Sequence, residues 1–218
     1  MILKMSKKMG YFFDLDGTLV DSSKCHSSAF NKVLAIHYPE ICKNFNYENF
    51  KGKSTPSVFR DLGIIDPKKL NILVNEKRRI YLDYINNGKV PIFLGALRLL
   101  RILKKNKKTN YIVTSASRNA TLNVLEVSGL ITLVDDIITS ENAKRNKPNP
   151  DLYLVAIEKS NIPVRDIVVV EDSLAGKIAA NKAGIDVIMV NQSKDNNACL
   201  CFNTLNEFYL HIKKEFKV

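Results

Sequence analysis

The chain has 218 residues, of which 45% are hydrophobic and 25% are charged, a composition typical of a globular protein. Its longest apolar runs have the length of strands, far below the ~20 residues that a membrane-spanning helix needs, so we expect no membrane partner. The first residues are basic but lack the apolar segment of a signal peptide, which predicts a cytoplasmic protein. The four cysteines do not have zinc-ligand spacing.

The net charge of +11 raises the question of nucleic-acid binding, because basic proteins gain affinity by neutralising phosphates. The lysines, however, are spread along the chain, and the run at residues 104–108 is typical of the last turn of a helix, where the helix dipole favours cations. We therefore expect no nucleic-acid partner. The positive field would instead attract a small phosphorylated substrate.

The first predicted element is a strand at residues 11–13, which leads into the motif Asp14-Leu15-Asp16-Gly17-Thr18. Because side chains alternate along a strand, Asp14 and Asp16 are predicted to point to the same side. Two carboxylates this close repel each other unless a cation or a shared proton compensates. The pattern suits a Mg²⁺ site in which one carboxylate is a nucleophile and the other moves a proton.

The sequence from Ser22 to Val90 contains no strand-like run. Ser22 and Ser23 are suited to cap a helix, and further helical or irregular segments are predicted at residues 41–50, 56–62 and 70–85. This stretch is too long for an ordinary crossover between strands. We therefore predict a helical cap of residues 22–90, inserted over the carboxyl edge of a sheet, and a core domain of residues 1–21 and 91–218.

From residue 91 onward, short apolar strands alternate with helices. Strands are predicted at residues 111–113, 136–139, 167–170, 187–190 and 198–202, and helices at 95–104, 120–128, 150–159, 174–183 and from 203 or 204 through 212. The alternation predicts an α/β fold, a Rossmann-like doubly wound and mostly parallel sheet that is covered on both faces.

Polar residues follow the predicted strands. Ser115 and Ala116 come after the second strand, Glu171 and Asp172 come after the strand at 167–170, and Lys147 precedes a helix. All carboxyl ends of a parallel sheet lie at one edge, so these groups can converge there. A hydroxyl and an ammonium suit a phosphoryl group, and carboxylates suit a hard divalent cation. Each residue also has an ordinary structural explanation when it is taken alone.

The order of these motifs resembles the haloacid dehalogenase superfamily of phosphotransferases, over about residues 11–191. Residues 14–18 are similar to its first motif, Ser115 to the second, Lys147 to the third and residues 171–176 to the fourth. The position of the helical insertion resembles the subgroup that contains phosphoglycolate phosphatases and β-phosphoglucomutase.

The resemblance implies a mechanism in which Asp14 attacks phosphorus and forms an aspartyl-phosphate. Asp16 protonates the leaving oxygen and then deprotonates the hydrolytic water. The implied Mg²⁺ ligands are the Asp14 carboxylate, the Asp16 backbone carbonyl and the Asp172 carboxylate, with Glu171 as a further candidate. The implied phosphate-binding residues are Ser115, Ala116 and Lys147. The dehalogenases of the superfamily usually lack a second aspartate, so Asp16 argues against that chemistry.

The insertion bears on the choice between a phosphatase and a mutase. His26 lies where the mutase has a functional histidine, although a helix histidine at a hinge explains it equally well. Thr55 takes the place of a mutase arginine that binds a second phosphate, and a hydroxyl does not replace a bidentate guanidinium, although Lys53 or Arg60 could compensate for it. We therefore favour a phosphatase over a mutase, with Lys53 and Ser54 as candidate substrate contacts.

The expected function is a Mg²⁺-dependent phosphatase acting on a small phosphorylated metabolite such as a sugar phosphate or phosphoglycolate. Two alternatives stay open: a β-phosphoglucomutase-like phosphotransferase, and a non-catalytic binding protein on the same fold. We expect a monomer or a weak homodimer.

Overall fold

A computed structural model describes residues 4–192 and 200–217. The strands in this part of the chain are β1 (Gly10–Phe13), β2 (Thr109–Val113), β3 (Asp136–Ile138), β4 (Ile167–Glu171), β5 (Asp186–Met189) and β6 (Leu200–Cys201). They form one parallel sheet in the order β3-β2-β1-β4-β5-β6. This confirms the predicted Rossmann-like α/β fold. The predicted last strand is present as β6, and residues 198–199 of that prediction lie outside the described residues.

Strand β1 is central, with Gly10 opposite both Thr109 of β2 and Ile167 of β4. The chain continues to β2 on one side of β1, whereas β4, β5 and β6 lie on the other side. The strand order thus reverses at β1, and the crevice beyond the carboxyl ends of strands at such a point is where doubly wound sheets bind ligands. The residues that follow β1, β2 and β4 are therefore the ones to examine.

The predicted strand-free stretch is helical. It contains α1 (Ser23–His37), α2 (Pro39–Lys43), α3 (Thr55–Asp61) and α4 (Pro67–Asn86), with a 3-10 turn at Tyr47–Phe50. Helix α4 begins at Pro67, earlier than the apolar periodicity indicated, because Asp66 caps it and proline is favoured in the first turn. The buried side chains of this stretch include a cluster of their own: Phe30, Val33, Leu34, Tyr47, Val58, Phe59, Ile64, Leu70, Leu73 and Val74.

The helical stretch leaves the sheet and returns to it at one place. The Asp21 amide donates a hydrogen bond to the Pro91 carbonyl at 2.8 Å, and the Phe93 amide donates to the Leu19 carbonyl at 2.9 Å. We propose on this basis that residues 22–90 form a cap on a core of residues 1–21 and 91–218.

The remaining helices cover both faces of the sheet. They are α5 (Ala96–Lys105), α6 (Arg118–Val127), α7 (Asp151–Ser160), α8 (Leu174–Lys182) and α9 (Leu205–Glu215). Tyr11 and Phe13 pack with α5, α6 and α9, whereas Phe12 packs on the opposite face with α7 and α8. This alternation follows from the two-residue repeat of a strand and explains why the strands are apolar throughout. No helix of the described residues is long and apolar enough to cross a bilayer.

Candidate active site

The turn after β1 brings Asp14 next to the acidic residues that follow β4. The Asp14 amide donates to the Val170 carbonyl at 3.0 Å, which extends the ladder between the two strands by one residue. Gly17 then adopts φ +90°, and a Cβ at this position would overlap the Asp172 carboxylate. Glycine is therefore required here both for its left-handed conformation and for space.

Lys147 lies at the centre of the site, with only 1% of its surface exposed. Its Nζ donates to Asp14 Oδ1 at 2.7 Å, to Glu171 Oε1 at 2.6 Å and to the Val113 carbonyl at 2.7 Å. One ammonium thus connects the ends of β1, β2 and β4. Burial opposes the charged form of a lysine, but the charges of Asp14 and Glu171 raise the pKa of Lys147 well above its usual value.

The carboxylate of Glu171 accepts five hydrogen bonds. Oε1 accepts from Lys147 and from the Tyr153 hydroxyl at 3.1 Å, and Oε2 accepts from the Asp172 amide, the Ser173 amide and the Ser173 hydroxyl at 3.0–3.2 Å. Gly176 of α8 leaves the space for it, since a Cβ there would overlap the carboxylate. Glu171 is therefore fixed in one orientation and holds Lys147 towards Asp14.

Asp14, Glu171 and Asp172 form a buried acidic group in which one oxygen of each lies within 4.8 Å of the others. Burial and the charge of Glu171 raise the pKa of Asp172 to about 7. The same two causes raise the pKa of Asp14 well above its usual value, against the opposing effect of Lys147. Three carboxylates facing one ammonium leave an excess of negative charge, and a divalent cation would relieve it. An all-oxygen donor set is the one that Mg²⁺ prefers, so these residues fit a metal ion.

Asp16 lines the same cavity as Asp14 but has different partners. Its Oδ1 accepts from the Tyr81 hydroxyl at 2.9 Å, and His26 Nε2 lies 3.1 Å from the same oxygen in a geometry too bent for a hydrogen bond. The rings of His26 and Tyr81 stack with centroids 3.9 Å apart. Burial acts to raise the pKa of Asp16, but His26 and Tyr81 outweigh it and hold that pKa below its usual value. The carboxylate is thus ionised and able to accept a proton.

Lys77 of α4 is a buried cation that the sequence interpretation missed. Its Nζ lies 2.6 Å from His26 Nδ1 and 4.8 Å from the ring centroids of Phe30 and Tyr81. While Lys77 is protonated it can only donate, so in that state Nδ1 accepts and the proton of a neutral imidazole is on Nε2, facing Asp16. Burial lowers the pKa of Lys77 to about 7, and burial together with Lys77 lowers the pKa of His26.

A signal for Lys77 was present in the sequence. Lys77 occurs at helical spacing among Leu70, Val74 and Tyr81, so it lies on the apolar stripe of its helix. A lysine in such a stripe is buried only if a polar partner meets it from another element. Here that partner is His26 on α1.

A cavity of about 350 Å³ separates the helical insertion from the end of the sheet. It is lined by Asp14, Asp16 and Ser115 from the core side and by residues such as Phe30, Tyr47, Ser54, Thr55 and Tyr81 from the insertion. Ser115 Oγ is buried and has no hydrogen-bond partner among the described residues. An unpaired buried hydroxyl in the wall of the cavity that Asp14 also lines can donate a hydrogen bond to an anionic ligand.

The other predicted substrate contacts already have hydrogen-bond or ion-pair partners within the protein. Ala116 lines the cavity, but its amide donates to Thr114 Oγ1 at 3.1 Å. Lys53 Nζ pairs with Asp61 at 2.7 Å, and Ser54 caps α3 by accepting from the Ser57 amide at 3.4 Å. The structure thus places the predicted site residues around one cavity or in the acidic group beside it, with Lys147 bonded to two members of that group.

The loop before α3 touches the core next to this group. Gly52 has φ +78°, and a Cβ there would overlap Ser173 Oγ. Ser173 in turn caps α8 by accepting from the Gly176 amide at 3.0 Å and donates to Glu171. The insertion therefore meets the core at the residue that adjoins Asp172.

The sequence matches the family model described as haloacid dehalogenase-like hydrolase over residues 11–190. The chain belongs to this family. It is 31% identical to hexitol phosphatase A of Escherichia coli (strain K12), over 85% of this chain and 84% of the relative. It is 26% identical to a phosphorylated carbohydrates phosphatase of Thermotoga maritima, over 86% and 88%.

Solved structures share the fold of this haloacid dehalogenase-like hydrolase. β-Phosphoglucomutase of Clostridium difficile superposes with a TM-score of 0.82 at 24% identity, covering 96% of this chain and 97% of that one. A hydrolase from Pseudomonas syringae gives 0.82 at 22% identity, covering 95% and 99%. The resemblance inferred from the motifs is thus confirmed at the level of the family.

We predict that Lys77→Met changes the pH dependence of stability. A lysine whose folded pKa is near 7 and whose unfolded pKa is about 10.4 destabilises the fold while it is protonated, below pH 7, and that penalty is relieved as the pH rises from 7 to 10. The variant should therefore gain roughly 2–4 kcal/mol relative to the unmodified protein at pH 6, and the gain should disappear by pH 10. Urea denaturation at several pH values measures it.

Lys69→Met is the matched control, since Lys69 is on the same helix but exposed. A pH trend in this control equal to that of Lys77→Met would contradict the assignment.

Proposed function

We propose that this protein is a Mg²⁺-dependent phosphatase that hydrolyses a small phosphorylated metabolite of the sugar-phosphate type through an aspartyl-phosphate on Asp14. The observation that carries the proposal is the buried Lys147 ammonium, 2.7 Å from Asp14 and 2.6 Å from Glu171, beside the Asp172 carboxylate. The names of the phosphatase relatives support the substrate class.

Asp14 has the properties of a nucleophile for phosphorus. Oδ1 is held by Lys147, whereas Oδ2 accepts no hydrogen bond within residues 4–192 and 200–217. The Ser115 hydroxyl can donate to an oxygen of a phosphoryl group above that free oxygen, and the positive charge of Lys147, whose three donors are engaged, stabilises the negative charge that develops as the bond to the leaving oxygen breaks. Asp14 and Asp172 would hold Mg²⁺, which supplies charge neutralisation for the phosphoryl oxygens. Glu171 contributes by orienting Lys147.

Asp16 is the residue suited to move protons. Its carboxylate is held at the cavity by Tyr81, outside the acidic group. Asp16 is ionised in the free site, so it would first take up a proton as the anionic phosphate binds, because a nearby negative charge raises the pKa of a carboxylate. It would then give that proton to the oxygen that leaves phosphorus, and in the second step take a proton from the water that cleaves the aspartyl-phosphate. This separation of the two aspartates lets one act as a nucleophile while the other acts as an acid and base.

We expect Asp14→Asn to abolish phosphate release without unfolding the protein. Asparagine keeps the shape of the side chain but is not a nucleophile, so turnover of p-nitrophenyl phosphate with Mg²⁺ should fall by about a thousandfold or more. The melting temperature should be equal or higher, because one of three close negative charges is removed. Chelation with EDTA should abolish the activity of the unmodified protein, and added Mg²⁺ should restore it.

The control is Asp166→Asn, at the opposite end of the sheet just before β4, which should keep full activity. Retained turnover in Asp14→Asn would overturn the assigned nucleophile.

A mutase is the second candidate, because the fold is shared with β-phosphoglucomutase. Thr55 in the cavity wall favours hydrolysis, since a hydroxyl does not hold a second phosphate as a bidentate guanidinium does. We therefore predict phosphate release from sugar phosphates, and no conversion of β-glucose 1-phosphate to glucose 6-phosphate when catalytic glucose 1,6-bisphosphate is present. A coupled assay for glucose 6-phosphate distinguishes the two. Conversion without phosphate release would replace the phosphatase by the mutase.

The contact between Gly52 and Ser173 predicts a further activity effect. Gly52→Ala would force the loop away from α8 and should lower kcat/KM by about tenfold, because the insertion no longer closes over the acidic group. Gly63→Ala is the matched control: Gly63 also has positive φ, +85°, but nothing lies within 4 Å of its Cβ position. Both variants should lose about 1–2 kcal/mol of stability through backbone strain. Equal activities in the two variants would show that the contact has no role.

A further inference from the structure

A second cavity, of about 530 Å³, adjoins the active-site cavity. Five residues line both: Lys53, Ser54, Pro56, Ser140 and Asn146. The two spaces therefore share a wall formed by the start of α3 and by the segment that leads to Lys147. A ligand whose phosphate is bound at Asp14 can extend past this wall into the second space, which we call the basic groove.

The basic groove carries positive charge that the protein itself does not neutralise. Of its basic side chains, Lys53 pairs with Asp61, and Arg145 makes a bidentate pair with Asp151. Arg60 of α3 and Lys144, in contrast, make no salt bridge or hydrogen bond within the described ranges, although both line the groove. Two unpaired cations facing one cavity from different segments favour an anion between them.

The shared wall also contains an unpaired acceptor. Asn146 Oδ1 is buried and accepts no hydrogen bond from the part of the chain that is described. Asn146 directly precedes Lys147, so this oxygen lies on the path from the reacting phosphate to the groove. Buried acceptors are usually satisfied, and a hydroxyl group of a ligand would supply the missing donor.

Two other cations of the active site are already occupied. Lys147 is held by two carboxylates, and Lys77 is buried against His26. Arg78 of α4 also lines the active-site cavity without a salt bridge or side-chain hydrogen bond in the described ranges, so a second negative charge can meet one unpaired cation there, whereas the basic groove offers two from different segments.

We propose that the leaving group of the substrate is a hydroxylated chain with a second anionic group, a carboxylate or a phosphate, at its far end, which Arg60 and Lys144 bind. This rests on the proposed phosphatase function and narrows its substrate class. Asn146 accepts from a hydroxyl of the chain, and the distal anion lies in the groove. The attraction acts between exposed charges, since Arg60 and Lys144 are both exposed, so it is moderate and weakens with salt.

The test compares two phosphate esters that differ only at the far end: gluconate 6-phosphate, which carries a carboxylate at carbon 1, and glucitol 6-phosphate, which carries a hydroxymethyl group there. The unmodified protein should show a kcat/KM about tenfold higher for the carboxylate ester. The ratio should fall towards 1 in the double variant Arg60→Ala/Lys144→Ala and at 0.5 M NaCl. The double variant Arg101→Ala/Lys105→Ala removes the same charge from the exposed side of α5 and should keep the ratio.

Binding of the same two esters to Asp14→Asn, measured by calorimetry with and without the groove substitutions, gives a readout that needs no turnover. A ratio near 1 in the unmodified protein, or a ratio that survives the loss of Arg60 and Lys144, would overturn the groove proposal and leave the phosphatase intact. Failure of the unmodified protein to hydrolyse p-nitrophenyl phosphate or either ester would overturn the phosphatase, while the binding ratio would still decide on the groove.

Discussion

The buried ammonium of Lys147 is the interaction on which the site depends. It donates the only hydrogen bond to the side chain of Asp14 in the described residues, and it also donates to one oxygen of Glu171. Removing Lys147 would leave Asp14 and Glu171 buried without a compensating charge, and a loss of this kind typically destabilises a protein by about 3–5 kcal/mol. This cost explains why Glu171 accepts five hydrogen bonds and why Gly176 leaves space for its carboxylate. They fix the lysine so that it neutralises Asp14 without leaving its place.

The two aspartates of the first motif illustrate how the environment shifts the pKa values of identical side chains in opposite directions. Asp14 adjoins two other carboxylates, which raise its pKa, whereas Asp16 adjoins Tyr81 and His26, which lower its pKa. The two pKa values differ because Asp14 lies at the end of the sheet beside Glu171 and Asp172, whereas Asp16 faces the helical insertion. Helices α1 and α4 therefore form part of the site. The insertion encloses the cavity and also shifts the pKa of Asp16 through His26 and Tyr81.

The sequence predicted the fold and the core half of the site well, because both follow from short-range rules. Strands that are apolar on both faces identify a covered parallel sheet, and parallel strands bring their carboxyl ends to one edge whatever their separation in the chain. Asp14, Lys147, Glu171 and Asp172 were therefore foreseeable as neighbours.

The contribution of the insertion was not foreseeable in the same way. Lys77 and Tyr81 become site residues only because α4 packs across α1 and brings them to His26. The way in which two helices cross cannot be predicted from the apolar periodicity of either one. The charge pairing of Lys53 with Asp61 was likewise hidden, since it depends on how the loop before α3 folds back on that helix.

The proximity of Asp21 and Pro91 has a consequence for how the sequence of this protein can change in evolution. Because the chain departs and re-enters through neighbouring backbone positions, a different stretch of polypeptide can be spliced between them without disturbing the sheet. Selection can then change the inserted segment above the reacting atoms while the residues at the end of the sheet keep their chemistry. The evolution of substrate choice is thereby separated from that of phosphorus–oxygen cleavage.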